Sequence, residues 1–181
     1  MSCSVVAPDE AAEAGLRPGR STRETAQAVV QVARAKAESV ADRVPADSLV
    51  VAADTVVLLG RRLLGKPRDP EEATRMLRAL SGRGHRVVTA VAVLRVGHGP
   101  VLADYEETRV RFRPLDEAEI AGYVASGEPL DKAGAYGIQG LGALLVEQVV
   151  GCYYNVVGLP LATLHRLLRS HGCDLLDLQG R

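Results

Sequence analysis

Four glycines, a carboxylate, an ammonium and an amide fall within twelve residues, Asp131-Lys132-Ala133-Gly134-Ala135-Tyr136-Gly137-Ile138-Gln139-Gly140-Leu141-Gly142. Glycine serves where the backbone needs positive φ or must pass close to another group. Helix interiors and central strands do not tolerate this density. The chain must therefore fold around a shaped loop at this point. The apolar run Ala143-Leu144-Leu145-Val146 reads as a strand that anchors it. Two readings stay open: a tight connection whose Asp131 and Lys132 are solvated, or a loop that faces a polar ligand.

A chain of 181 residues, 47% of them hydrophobic, has length and apolar content for one domain over residues 1–181. Residues 173–181 read as a weakly patterned peripheral tail. Lys and Arg balance Asp and Glu at 22 each, so no net field draws the chain to nucleic acid or to membrane lipid. Cys3, Cys152 and Cys173 lack metal-ligand spacing and leave an odd thiol, which suits a reducing compartment. No bilayer-length apolar run or signal segment is present in the sequence, and a cytoplasmic location is expected.

Taken in order, Met1 to Pro8 reads as a short strand, and Asp9, Glu10 and Glu13 as an acidic cluster before a loop rich in Gly, Pro and Arg. A helix is predicted from Thr22 to about Arg43, capped by Ser21 or Thr22, with Ala26, Val29, Val30, Ala33, Ala37 and Val40 on one apolar face. Lys36 either snorkels to solvent or reaches a site at the inner edge of that helix. Ser48 to Ala53 reads as a strand buried on both faces, interrupted by Asp54 and Thr55 before Val56 to Leu59 resumes. A carboxylate between apolar runs is costly unless it is paired, hydrogen-bonded or metal-bound. Asp54 is thus either a turn cap or an acid at a strand end facing a cleft. A hairpin at 60–65, a helix from Pro70 to Leu80, strands at 86–95 and 101–113 and a helix at 116–125 follow. A strand near 143–149, a turn at 151–155 and a helix at 159–170 complete an α/β pattern.

Generic motifs are mostly excluded. The order Gly137-Ile-Gln-Gly140-Leu-Gly142 precedes a strand instead of opening a helix, unlike a dinucleotide fingerprint. There is no P-loop, no GxSxG elbow and no HExxH spacing among His85, His98, His165 and His171. Asp and Lys beside glycine loops suit stabilisation of a polyanion and metal-assisted hydrolysis.

Ala53-Asp54-Thr55-Val56-Val57, Gly65-Lys66-Pro67, Met76 to Gly82, Gly127 to Gly140 and Asn155-Val-Val-Gly-Leu-Pro160 together resemble the Maf family. The resemblance runs from about Ser4 to Gly172. It implies nucleoside triphosphate pyrophosphatase activity that releases a monophosphate and diphosphate. The implied fold is a mixed twisted sheet with flanking helices, two lobes around a deep cleft, often as a homodimer. By the same resemblance Asp54 is the catalytic acid–base residue and a metal contact. Thr55 falls on a position linked to substrate choice, Lys36 and Lys66 contact the triphosphate, and Asp131 and Lys132 share the cleft. Gln139 reads the base. The dTTP/UTP subfamily carries Tyr-Gly-Ile-Gln-Gly here, whereas the 7-methyl-GTP subfamily has Glu at this position. An amide matches both the O4 acceptor and the N3–H donor of a uracil-type ring. The implied cofactor is a divalent cation, Mg²⁺ or Mn²⁺, which needs few protein ligands when substrate phosphates supply oxygen.

Family members open with a strand and a Ser-x-Ser-Pro-Arg-Arg segment that grips the phosphates, and the sequence from Met1 reads without it. This predicts an exposed sheet edge. It also predicts the loss of two arginine contacts, each worth ~1.5–3 kcal/mol. Glu10 or Glu13 stands near the family's early metal-contacting Glu, with Ala12 at the ungapped place, and Glu10 is the candidate metal ligand. Two functions follow. One is a working pyrophosphatase on dTTP, UTP and related pyrimidine nucleotides. The other is an impaired member that binds nucleotide or a partner in division and septum control.

Overall fold

The computed structural model describes residues 3–9, 19 and 21–177. Ser21 opens the first helix, α1 (Thr22–Ser39), with its hydroxyl accepting from the Glu24 amide at 3.2 Å. Ala26, Val29, Ala33 and Ala37 recur on one face and are fully buried. These small residues let the helix lie close to the sheet. A 3₁₀ turn, Ala41–Arg43, ends it.

Five strands follow among the described residues: β1 (Leu49–Leu59), β2 (Arg62–Leu64), β3 (Gly84–Arg95), β4 (Leu102–Phe112) and β5 (Val146–Val150). They form one sheet in the order β2-β1-β3-β4-β5, and every pairing is antiparallel. Helix α2 (Pro70–Leu80) is capped by Asp69 and has proline in its first turn. Helix α3 (Glu117–Ala125) carries a capping box between Asp116 and Glu119. Short α4 (Tyr153–Val157) and then α5 (Leu161–Ser170) close the chain. The α/β class expected from the sequence is the one observed.

Strand periodicity distributes the core. Val50, Val56 and Leu58 of β1, with Val88, Ala90 and Leu94 of β3, pack under α1. The alternate residues face the other way, Val91 and Val93 against Leu164, Leu167 and Leu168 of α5. Val57 and Val87 join Leu77, Leu80, Phe112 and Ile120 under α2 and α3.

Three local expectations change. Residues 3–9 form no strand. Ala143 to Leu145 belongs to a 3₁₀ segment, Gly140–Leu145, which leaves Leu144 67% exposed, and the strand starts only at Val146. The stretch read as a turn at 151–155 instead begins α4 at Tyr153. On the side of β1 away from β3, β2 pairs only with Val57 to Leu59, and residues 49–56 have no strand partner there among the described residues. No helix among the described residues is long and apolar enough to cross a membrane.

Candidate active site

Asp54 does not sit at a strand end. It lies in the middle of β1, paired with Ala90 of β3, on the face that α1 covers. Strand geometry carries straight through Asp54 and Thr55 because β3 supplies a continuous partner. Their polarity is tolerated because each side chain has a partner, Asp54 in Lys36 and Thr55 in Thr89. Lys36, in the last turn of α1, reaches over the small residues beside it and places its ammonium 2.8 Å from Asp54 Oδ1. Asp54 Oδ2 has no protein partner among the described residues.

A cleft of about 490 Å³ opens at this edge, and Lys36, Asp54, Thr55, Lys66, Asp131, Lys132 and Gln139 all line it. Glu10, the remaining site residue read from the sequence, lies outside the described residues. Lys66 follows β2 and makes no ion pair among the described residues. Gln139 is exposed, and its side-chain amide makes no hydrogen bond among the described residues. Lys132 donates to Asp131 at 2.5 Å. That bond, with the nearby Lys66 charge, holds the Asp131 carboxyl below the usual range despite the opposing cost of burial. Val57, Val87, Val156 and Val157 give the cleft an apolar wall.

The glycine-rich loop is built by close approach. Gly134 has φ +72° and donates its amide to the Gly65 carbonyl at 2.9 Å, tying the loop to the Lys66 segment. A Cβ at Gly134 would stand 2.9 Å from Val57 Cγ2, and one at Gly142 would stand 2.0 Å from the Gly137 carbonyl. Only glycine fits either place.

Three residues without an assigned role in the sequence reading hold this site together. Glu128 accepts from the amides of Leu141 and Gly142 and from the Tyr123 hydroxyl, each at 3.0 Å. Burial works against its ionisation, but the Gly142 and Leu141 amides and the Tyr123 hydroxyl prevail and its pKa is lowered. Tyr123 in turn accepts from the Gly137 amide at 3.1 Å, so this pair clamps the second half of the loop, from Gly137 to Gly142. Burial pushes the Tyr123 phenol up, out of its ordinary range. Asn155, fully buried on α4, bonds to β3 and β4. Its place in the Asn-Val-Val-Gly-Leu-Pro motif was the signal available; its partners, far away in sequence, were not.

No group of three or more His, Cys, Asp or Glu side chains among the described residues is arranged to hold a metal. Glu128 is occupied by three donors. Asp54 and Asp131 each give Oδ1 to a lysine, which leaves Oδ2 of both open on the cleft among the described residues, and a carboxylate with substrate oxygens and water is a donor set that Mg²⁺ accepts.

Comparison with known proteins gives the family. The family model described as "Maf-like protein" matches residues 2–171. The dTTP/UTP pyrophosphatase of Syntrophomonas wolfei is 46% identical over 159 residues, 88% of this chain and 82% of its own. That of Halalkalibacterium halodurans is 52% identical over 146 residues, covering 81% and 75% of the two chains. A third, from Escherichia coli O6:K15:H31, is 49% identical over 157 residues, 86% and 79%. The chain belongs to the Maf family.

Proposed function

We propose that the chain hydrolyses dTTP and UTP to the nucleoside monophosphate and diphosphate, by attack of water on the α-phosphorus. The observation that carries the reading is the meeting of Asp54, Lys36, Lys66, Lys132 and Gln139 on one cleft. Relatives 46–52% identical that bear the name dTTP/UTP pyrophosphatase support the choice of substrate.

Asp54 Oδ2 takes the proton of the attacking water as its oxygen bonds to the α-phosphorus. The bond from that phosphorus to the bridging oxygen breaks, and diphosphate leaves with the electron pair. Lys66 and Lys132 meet the negative charge that accumulates on the leaving group, lysine serving as a point-charge partner for phosphate. Lys36 holds Asp54 by its other oxygen, fixing which carboxylate atom faces the water. A divalent cation, Mg²⁺ or Mn²⁺, held by Asp54 with phosphate oxygens and water, would offset charge on the substrate's phosphates. Gln139 offers a donor and an acceptor to the ring edge, and Val156 and Val157 offer the ring an apolar bed.

The test is product analysis over a panel of nucleoside triphosphates with Mg²⁺ or Mn²⁺. Diphosphate and monophosphate should appear fastest from dTTP and UTP. Asp54→Asn should lower kcat by ~10²–10⁴-fold, the usual contribution of a positioned base, with an unchanged circular dichroism melt. Release of single phosphate, indifference to the base, or wild-type turnover in Asp54→Asn would each overturn the reading.

A further inference from the structure

Behind the cleft wall runs a chain of polar groups whose proton directions can be assigned one by one. Thr89, Thr108 and Asn155 are all 0% exposed. The Asn155 amide is oriented by its partners: Oδ1 accepts from the Thr89 amide at 3.1 Å, and Nδ2 donates to the Val87 carbonyl at 3.0 Å. The opposite orientation would set oxygen against oxygen. Nδ2 gives its second proton to Thr108 Oγ1 at 2.9 Å, and Thr108 passes its own to the Cys152 carbonyl at 3.0 Å. Thr89 Oγ1 donates its single proton to the Asn155 carbonyl at 2.8 Å. A carbonyl can only accept, so that proton is committed.

Thr89 Oγ1 also lies 3.0 Å from Thr55 Oγ1, its direct partner across the β1–β3 ladder. With the Thr89 proton used, Thr55 must be the donor in this pair. Thr55 lines the cleft, and its hydroxyl proton points away from it. Only oxygen lone pairs remain for a ligand. Buried polar groups carry a desolvation cost that bonding only offsets, so a relay this complete does more than fill space.

We propose that Thr55 meets the nucleoside half of the substrate as a hydrogen-bond acceptor only, and that Thr89 and Asn155 are the positioning residues that fix this polarity. The inference rests on the reading of the cleft as a nucleotide site. The matching group is a donor, and a uracil-type nucleotide offers two kinds: the ring N3–H, for which Thr55 would compete with Gln139, and a sugar hydroxyl.

Kinetics with UTP, N3-methyl-UTP and 3′-deoxy-UTP distinguish them. Wild type should lose roughly 3–10-fold in kcat/KM against the analogue that lacks the group Thr55 receives, the worth of one ordinary hydrogen bond. The same factor should vanish in Thr55→Val and persist in Thr55→Ser. It should vanish in Thr89→Val, where the Thr55 proton loses its inward acceptor, and return in Thr89→Ser. A merely structural role for Thr89 would lower activity on all three nucleotides alike. A factor against each analogue that is equal in wild type and Thr55→Val overturns the proposal. If Thr89→Val does not fold, the Thr55 pair decides alone. If wild type turns over no nucleotide, the reading of the site fails, and dissociation constants for UTP and the two analogues, measured by calorimetry, carry the same comparison. Equal affinity for all three then overturns the inference as well.

Discussion

His85 is 3% exposed, with Nε2 2.7 Å from the Tyr136 hydroxyl and its ring edge-on to Phe112 and Tyr136. Tyr136 is one wall of the cleft, so this buried imidazole braces the segment that carries Gln139. Burial pushes its pKa from 6.5 down to about 4, the neighbouring Arg83 backbone acting weakly in the other direction. The folded state therefore binds fewer protons than the unfolded chain between those two values. The neutral ring's stabilisation is fully present above the unfolded pKa and is lost as pH falls towards the folded one, by about 3 kcal/mol in all. His85→Phe keeps an aromatic ring in place and removes the titration. Thermal melts from pH 7 to 4.5 should show a smaller fall for the variant than for wild type, and parallel falls would refute the assignment. The sequence showed His85 only as one of four scattered histidines. Nothing local marks a ring whose partner stands 51 residues away.

Among the elements, the glycine-rich loop was the most legible and its conformation the least. Glycine density announced close approach, and Gly134 and Gly142 meet Val57 and the Gly137 carbonyl as that density implies. The apolar letters of Ala143, Leu144 and Leu145 suggested a strand because a short apolar run carries no period of its own. The clamp of Glu128 and Tyr123 draws this segment into a 3₁₀ turn instead, a tertiary effect invisible in the run itself. Asp54 misled for a related reason. A polar pair inside an apolar run reads as an interruption, yet the β3 ladder carries the strand through and Lys36 pairs the carboxylate. Gly134→Ala tests the loop as an element. The new methyl faces both a positive φ and the Val57 side chain, so the cost should be ~1–3 kcal/mol, a mid-range core overpacking penalty. Because Gly134 ties the loop to Gly65, the expected kinetic change is a raised KM through displaced Lys66 and Gln139, with the thermal midpoint lowered. An unchanged midpoint and KM would mean the loop yields freely.

At the scale of the whole molecule, the cleft has walls from two different cores. Lys36 and Asp54 hang on the cluster under α1, whereas Tyr136 and Gly134 rest on the one under α2 and α3. The α/β class and the family could be read from ordered local motifs, but this division could not, since it depends on which face each strand residue takes. Strand β3 joins the cores: Val87 belongs to one, Val88 and Ala90 to the second, Val91 and Val93 to the third beneath α5. A strand shared by all three clusters argues that none can melt alone, since opening one strips a neighbour of its sheet face. Leu77→Ala under α2 and Leu167→Ala under α5 lie in separate clusters, and each should cost ~2–5 kcal/mol. Both should shift one common transition, with far-ultraviolet dichroism, tyrosine fluorescence and diphosphate release lost at the same temperature. If Leu167→Ala instead produced an early separate transition with the cleft still active, α5 and its strand contacts would form an independent unit. The shared role of β3 would then not extend to that face of the sheet.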